Sequence, residues 1–333
     1  RSQQMATATA IMAIEDAGEL DTDPDRCGVI YATGVGGLQT FEEQVIVHDR
    51  KGPRRVSPFM VPMIMPNAPG AAISMRFGLQ GPNETITTAC AASTHALGYA
   101  ARLIKMGYAD VIVSGGAESV MSPVGMAGFQ NMTALSSSGQ SMPFDKDRDG
   151  FMMTEGSATL ILEEMTSAKS RGAHIYGEIL GSGSNADAHH ITAPSPGGNG
   201  ALRCMQLAIE DAGLMPSDIA SVNAHGTSTP LNDAAEAEAL SKLFGDNGPP
   251  VTSTKGVTGH ALGAAGALEA TAVLLSFAHK SIPPTAGHTT ADPEMANFNL
   301  VSGSPQTWEP GPSLSNSFGF GGHNGSVVLS PVQ

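Results

Sequence analysis

An internal repeat constrains the fold of this chain more than any other feature of its sequence. The motif AIEDAG occurs at residues 13–18 and again at residues 208–213. A second echo pairs TACAASTHALGYA at residues 88–100 with STKGVTGHALGAA at residues 253–265. The echoes come in the same order, with the longer spacing in the first copy. Such self-similarity predicts a duplicated fold with one insertion in its first copy.

The two halves implied by the repeat cover residues 1–172 and 173–333. Each alternates apolar, β-branched runs with helical stretches of small residues, a pattern typical of α/β folds with sheets buried between helices. The insertion is residues 40–74, a Pro-rich segment that we expect to form a long loop. The predicted strands are residues 27–34, 83–89, 109–116 and 157–163 in the first half, and 219–226, 249–255, 312–318 and 325–331 in the second.

The second half has an additional opening strand, residues 173–187, ahead of its AIEDAG helix. The first half has no counterpart, because the sequence begins within the equivalent helix. We therefore expect that a strand preceding Arg1 completes the first half.

Charge and composition argue against several classes of function. Lys and Arg number 17 against 31 Asp and Glu, and the net charge of −14 disfavours a general binder of nucleic acid or anionic membranes. The sequence has no run of about 18 apolar residues, so no membrane span is expected. The isolated Cys27, Cys90 and Cys204 fit neither a disulfide framework nor a zinc module, and favour a reducing, cytoplasmic setting.

Cys90 is the candidate nucleophile. It follows a β-rich run and precedes AASTHALGYAARLIKMG, which predicts a buried helix. At a helix N-terminus the backbone dipole stabilises a thiolate, so we expect a lowered pKa for this thiol. The alternative is a small core residue, which is the common role of a free Cys and the one expected of Cys27 and Cys204.

Two histidines and a lysine of the second half are the candidate partners of Cys90. His225 ends a predicted strand, at the sheet edge where ligand crevices form in α/β folds. Lys255 is the repeat counterpart of Cys90, so a pseudo-twofold arrangement would bring the two helix starts together. His260 lies in the same motif as Lys255, and its counterpart His95 is expected to be structural. A lone His is usually structural, but two beside a candidate nucleophile favour catalysis.

The remaining patterns carry weaker signals. The Gly-rich turn at residues 319–322 could aim N–H groups at an oxyanion or simply connect two strands. DKDRDG at residues 145–150 begins like a calcium loop, but Gly156 stands where a bidentate Glu is required. His189 and His190 have no partners at zinc-like spacing, so no metal site is expected.

Four motifs closely resemble one family. TACAAS around Cys90, HGTSTPLND from His225, STKGVTGHALGAAG and SNSFGFGGHNG are similar, in this order, to elongating β-ketoacyl-[acyl-carrier-protein] synthases of the thiolase superfamily. The resemblance implies a thiolase-like, layered α-β-α-β-α fold with pseudo-twofold-related halves. Thiolase itself fits poorly, because it uses a second Cys near its C-terminus and the last Cys here is Cys204. Initiating synthases use His and Asn, and chain-length factors lack the nucleophile.

The resemblance implies fatty-acid elongation and a role for each motif residue. Cys90 would carry the acyl chain, and His225 and His260 would stabilise the enolate formed when a malonyl unit loses carbon dioxide. Lys255, with Glu269 in support, would organise the site electrostatically. The oxyanion hole would use the N–H groups of Cys90 and Phe320, the phosphopantetheine arm would contact Thr227 and Thr229, and the acyl pocket would be lined by Val35, Phe129, Phe318 and Phe320.

The resemblance further implies an acyl carrier protein as partner, a homodimer, and no cofactor beyond the phosphopantetheine that arrives on the carrier. Carrier proteins are acidic, and HDRKGPRRVSP supplies a local basic cluster with Arg54 and Arg55 as docking residues. Alternatively, this cluster is a charged surface segment that contacts only water and binds no partner. Two other functions remain open: a ketosynthase subunit of a type II polyketide synthase, and a catalytically silent acyl-binding subunit.

Overall fold

Two β-sheets, one in each half of the chain, organise the protein in a computed structural model that describes residues 1–245 and 247–332. The first sheet has the strand order β2-β1-β3-β4, in which β1 runs parallel to β2 and β3, and β4 is antiparallel to β3. Its strands are β1 (Cys27–Ala32), β2 (Asn83–Ile86), β3 (Val111–Glu118) and β4 (Gly156–Glu163).

The second sheet repeats this arrangement and adds one strand. Its order is β5-β11-β10-β6-β7, in which β6, β7, β10 and β11 occupy the places of β1, β2, β3 and β4, and β5 covers the outer edge of β11. A separate antiparallel pair joins β8 to β9. The strands are β5 (Glu178–Ala186), β6 (Ser221–Asn223), β7 (Val251–Thr252), β8 (Ser281–Ile282), β9 (Gln306–Thr307), β10 (Ser313–Gly319) and β11 (His323–Ser330). The expected strand preceding Arg1 stays a prediction.

The helices form three layers around the two sheets. Helices α1 and α4 pack on the outer face of the first sheet, α8 and α9 pack on the outer face of the second, and α5 and α11 lie between the sheets. The helices are α1 (Ser2–Ala17), α2 (Leu38–Lys51), α3 (Met60–Ile64), α4 (Ala68–Phe77), α5 (Ala92–Lys105), α6 (Pro123–Asn131), α7 (Met165–Ser170), α8 (Asn199–Asp211), α9 (Pro230–Phe244), α10 (Lys255–Thr258) and α11 (Ala265–His279).

Small residues allow the two central helices to touch. A Cβ atom on Gly266 of α11 would lie 2.0 Å from Thr94 Oγ1 of α5, so no larger side chain fits there. The Ser93 hydroxyl accepts a hydrogen bond from the Ala267 N–H at 3.0 Å, and the Thr94 hydroxyl lies 2.7 Å from that of Ser317. The halves are therefore held together beside the N-terminal ends of α5 and α11.

Two local expectations are wrong. Residues 40–74 do not form a long loop but mostly fold into α2, α3 and α4. Pro69 stands in the first turn of α4, where its fixed φ suits a helix and its missing N–H costs nothing. In the second half, the strand predicted at residues 249–255 is limited to Val251–Thr252, because Lys255 already begins α10.

One segment, Leu262–His279, is long and apolar enough to cross a membrane by length and composition, which the sequence analysis did not anticipate. It comprises α11 and the turn before it, and 56% of it is buried inside the protein. Burial between two sheets accounts for its apolar character.

Candidate active site

Cys90 sits in a short turn between β2 and α5. The preceding Ala89 adopts a φ of 50°, in the left-handed region that is unfavourable for residues other than glycine. Gly319, at the end of β10, lies against this turn, and a Cβ atom there would be 2.9 Å from the Thr88 oxygen and 3.1 Å from the Cys90 nitrogen. The Gly-rich turn of the second half thus reaches the candidate nucleophile of the first.

The two predicted histidines meet Cys90 at this junction. His225 follows β6, and His260 follows α10. The sulfur of Cys90 and one ring nitrogen of each histidine lie within 4.8 Å of one another, and all three residues are buried. The imidazole centroids are 5.3 Å apart with nearly perpendicular planes. The structure therefore brings together Cys90 and both histidines that the sequence analysis proposed as its partners.

Lys255 lies behind the histidines and is fully buried. Its ammonium donates hydrogen bonds to the His225 carbonyl oxygen at 2.6 Å and to the Glu269 carboxylate, and lies 3.4 Å from His225 Nδ1. An ammonium can only donate, so this last contact favours the His225 tautomer with its proton on Nε2. Burial, followed by the charge of Lys255, holds the pKa of both His225 and His260 well below the usual value. Both rings are therefore neutral at pH 7.

Backbone contacts fix His260. Its N–H donates to the Met152 oxygen at 2.7 Å, and its carbonyl oxygen accepts from the Thr154 N–H at 3.1 Å. The Phe151 ring meets the imidazole edge-on at a centroid distance of 5.1 Å. The segment between α6 and β4 thus holds the ring in place from the first half.

The pKa expected for Cys90 is wrong. Burial raises the pKa of the thiol to about 11, although the Lys255 charge and the Phe320 N–H both act to lower it. Desolvation outweighs the helix dipole here, because Cys90 is buried. The N–H groups of Phe320 and of Cys90 nevertheless both act to lower this pKa, which is compatible with the predicted oxyanion hole.

Sequence reasoning missed two buried carboxylates. Glu236 of α9 accepts the N–H groups of His225 and Gly226, each at 2.8 Å, and burial raises the pKa of its carboxyl to about 7. Glu118, at the end of β3, accepts N–H groups beside the nucleophile turn. The sequence feature that could have indicated Glu118 is a charged residue next to a buried run of small residues, in SGGAES at residues 114–119.

A cavity of about 630 Å³ opens onto these groups. Cys90, Phe318 and Phe320 line it, as do Thr227 and Thr229, whose hydroxyls are 2.9 Å apart. Its apolar rim, which the sequence did not indicate, includes Met132, Ile191 and Leu231.

Two predicted pocket residues lie outside this cavity. Val35 is 43% exposed. Phe129 packs edge-on against Phe151, at a centroid distance of 5.7 Å, within the apolar cluster that contains Cys90.

The other sequence candidates lie elsewhere. Arg54 and Arg55 are exposed in a short turn after α2. His95 contacts the Thr88 hydroxyl at 2.7 Å and the Asn324 carbonyl at 2.9 Å, as a structural residue would. Nδ1 of His190 accepts N–H groups from Thr192 and Ala193 at 3.1 Å. Asp145 binds backbone N–H groups of its own loop and of residues 289–290.

Among the described residues, the one cluster with metal-ligand spacing is Cys90, His225 and His260. The ammonium of Lys255 adjoins His225 and opposes a cation there. The tautomer that this ammonium favours also leaves Nε2 of His225 as a donor instead of a ligand. The site therefore suits stabilisation of a developing anion.

Comparison with known proteins gives a consistent result. Residues 1–168 match the N-terminal domain of β-ketoacyl synthase, and residues 176–289 match its C-terminal domain. The chain is 43% identical to 3-oxoacyl-[acyl-carrier-protein] synthase 2 of Synechocystis sp. over 98% of its length and 81% of the relative's. It is also 43% identical to the enzyme of that name from Staphylococcus aureus strain COL, over 100% of its length and 82% of the relative's.

A similar solved structure is a type II polyketide-synthase ketosynthase in complex with its acyl-carrier protein and bound to the hexaketide. It superposes with a TM-score of 0.94 at 31% identity, covering 100% of this chain and 85% of that one. The predicted thiolase-like fold is thereby confirmed. By family match, by identity over the full chain and by fold, the protein belongs to the β-ketoacyl synthase family.

Proposed function

We propose that this protein is a 3-oxoacyl-[acyl-carrier-protein] synthase that elongates fatty acyl chains by decarboxylating condensation. Its 43% identity to synthases of that name over nearly the whole chain supports the acyltransferase class and the fatty-acid pathway. The observation that carries the mechanism is the meeting of Cys90, His225 and His260 within 4.8 Å at the inner end of an open cavity.

The first step transfers an acyl group to Cys90. The sulfur attacks the carbonyl carbon of an acyl thioester, a new S–C bond forms, and the bond to the carrier thiol breaks. The proton of the Cys90 thiol passes to the departing carrier thiolate. Because burial raises the pKa of this thiol to about 11, the thiol is protonated at neutral pH before the attack. The N–H groups of Cys90 and Phe320 stabilise the oxyanion, and such donors typically contribute about 10²-fold to 10³-fold in rate.

The second step uses the neutral histidines. The thioester oxygen of a malonyl unit accepts hydrogen bonds from His225 and His260, which stabilise the enolate formed as carbon dioxide departs. The enolate carbon then attacks the acyl–Cys90 carbonyl, forming the new carbon–carbon bond and releasing the Cys90 thiolate for protonation. Lys255, paired with Glu269, keeps the His225 ring neutral and oriented. The hydroxyls of Thr227 and Thr229 sit in the cavity wall where a phosphopantetheine arm enters.

An acyl carrier protein is the proposed partner. A similar ketosynthase was solved with such a carrier bound. Arg54 and Arg55 offer an exposed basic surface on a protein whose net charge is −14, which suits an acidic carrier. The phosphopantetheine belongs to the carrier, so the enzyme itself requires no cofactor. We assign the reaction to the cytoplasm, in keeping with three free, buried cysteines.

The protein is further proposed to act as a homodimer. An apolar surface is exposed on α2 and α3, including Phe41, Val45, Val61 and Met63. The adjoining sheet ends at β2, whose outer edge is open among the described residues. A second copy would cover both the apolar surface and the strand edge. Light scattering should report a dimer, and Val61→Asp should shift the protein toward monomer, whereas a monomeric wild type would refute the assignment.

A labelled acyl carrier tests the proposed function. The wild type should acquire one acyl group on Cys90, and Cys90→Ala should acquire none. Cys204→Ala, which changes a buried cysteine outside the cavity, is the matched control and should acylate normally. A folded wild type without an adduct would instead support the silent acyl-binding subunit. Reaction only with a polyketide carrier would support the polyketide subunit, which the relatives favour less.

A further inference from the structure

Among the described residues, Glu118 has no charge partner, although it is completely buried at the end of β3. Its carboxylate accepts hydrogen bonds from the Thr33 hydroxyl at 3.0 Å, from the Gly34 N–H at 2.6 Å and from the Val35 N–H at 3.4 Å. A further hydrogen bond comes from the Gly263 N–H at 3.1 Å. No Lys, Arg or His pairs with it in the described parts of the chain. Three of its donors belong to the first half and one to the second.

The carboxylate fills the point where the two backbones meet. A Cβ atom on Gly263 would lie 2.1 Å from the Gly34 nitrogen and 2.7 Å from Glu118 Oε2. A Cβ atom on Gly34 would lie 2.6 Å from the same oxygen. A larger residue in place of Gly263 would press against the backbone of the first half, and one in place of Gly34 would displace the Glu118 carboxylate. The N–H groups of both glycines have Glu118 as their acceptor.

The contacts of Gly263 extend to the reacting groups. The preceding Leu262 has a φ of 45°, lines the cavity and packs in the apolar cluster with Cys90. His260 stands three residues before Gly263 in the same connection. A shift of this connection would therefore change the separation of His260 from Cys90.

The repeat shows that this arrangement differs from its counterpart. Strand β1 leads into Ala-Thr-Gly at residues 32–34 and β6 leads into Ala-His-Gly at residues 224–226, so Thr33 occupies the place of His225. In each half a buried carboxylate accepts the N–H groups of this turn, and in the second half it is Glu236. Of these two carboxylates, Glu118 also accepts an N–H group from the opposite half, whereas the N–H donors to Glu236 belong to its own half.

We propose that Glu118 is a positioning residue for the condensation, whose carboxylate locks the connection carrying His260 and Leu262 against the first half and so fixes His260 relative to Cys90. The proposal rests on the function proposed above. Two charged groups shift the pKa of Cys90 in opposite directions: the ammonium of Lys255 lowers it and the carboxylate of Glu118 raises it, while His225 and His260 are neutral.

Two substitutions separate position from charge. Glu118→Gln removes the charge and turns an NH₂ group toward N–H donors. Glu118→Asp keeps the charge but shortens the side chain by one methylene. Both should lower kcat for condensation about 10-fold to 100-fold, as loss of an orienting hydrogen-bond partner does, with little change in KM. Only Glu118→Gln should also shift the pH profile of Cys90 alkylation by iodoacetamide to lower pH. Glu163→Gln, which breaks an ion pair with Arg171 outside the cavity, is the control and should leave both readouts unchanged.

Wild-type condensation rates in Glu118→Gln and Glu118→Asp would overturn the proposal, as would an unshifted alkylation profile in Glu118→Gln. If Glu118→Gln does not fold, the condensation rate of Glu118→Asp decides the proposal on its own. A wild type that does not catalyse the condensation would refute the proposed function. In that case the pH profiles of Cys90 alkylation in the wild type and in Glu118→Gln still decide whether Glu118 acts on Cys90.

Discussion

Replacing Lys255 with Met should destabilise the protein in a pH-dependent way. The ammonium is buried and pairs with Glu269, whose second carboxylate oxygen has no hydrogen-bond partner among the described residues. Removing one member of such a pair leaves an uncompensated buried charge, which typically costs about 3 to 5 kcal/mol. Glu269 can escape this cost by taking up a proton.

The sign of the pH dependence follows from the pKa of Glu269. Burial raises it from 4.5 to about 6 even with Lys255 present, and without the ammonium it must rise further. A carboxyl whose folded pKa lies above its unfolded pKa loses stability as the pH rises from the lower value through the higher one. Lys255→Met should therefore cost least near pH 5, and should approach the full penalty near pH 8.

Urea unfolding of the wild type and of Lys255→Met at about pH 5, 6.5 and 8 would measure this difference. The double variant Lys255→Met with Glu269→Leu removes both charges and should recover most of the stability. A penalty for Lys255→Met that is equal at the lowest and highest pH would refute the reasoning. So would a double variant as unstable as the single one.

Three further predictions follow from the same geometry. Gly319→Ala should reduce acylation of Cys90 by about 10-fold or more, because a Cβ atom there would lie 3.1 Å from the Cys90 nitrogen. Gly128→Ala is the control and should acylate normally, because a Cβ atom there would contact no other residue. Normal acylation of Gly319→Ala would count against the close approach. Reversing Arg54 and Arg55 to Glu should weaken reaction with carrier-bound substrates but spare small thioester analogues, and equal loss with both would contradict carrier docking. Alkylation of Cys90 by iodoacetamide should keep rising toward pH values of about 11, because burial raises the pKa of the thiol, and a plateau near neutral pH would show that the thiolate is already present.

The repeat predicted the site better than any single residue did. It placed Cys90 and Lys255 at equivalent positions in two copies, and packing the copies around α5 and α11 brings them to one junction. The strands that end near His225 and Phe318 were predicted from apolar, β-branched runs and from the turn residues that follow them. These features are local or repeated, so the sequence displays them directly.

Other features of the site could not be predicted from the sequence, because they depend on residues that are brought together only by folding. The pKa of Cys90 was expected to fall because of the helix dipole, yet the enclosure that raises it comes from residues distant in sequence, among them Phe151 and Leu262. Glu118 and Glu236 leave no periodic trace, because each binds backbone N–H groups that any residue supplies. The helices of residues 40–74 were hidden by prolines that stand at helix starts.

The most direct test of the central claim is product analysis after mixing the protein with acyl-loaded and malonyl-loaded carrier. Mass spectrometry of the carrier should show a β-ketoacyl group lengthened by the two carbons left when the malonyl unit loses carbon dioxide. Cys90→Ala should yield no such product, because it cannot hold the acyl chain. A lengthened product from Cys90→Ala, or none from the folded wild type carrying an acyl group on Cys90, would contradict condensation at the junction of Cys90, His225 and His260.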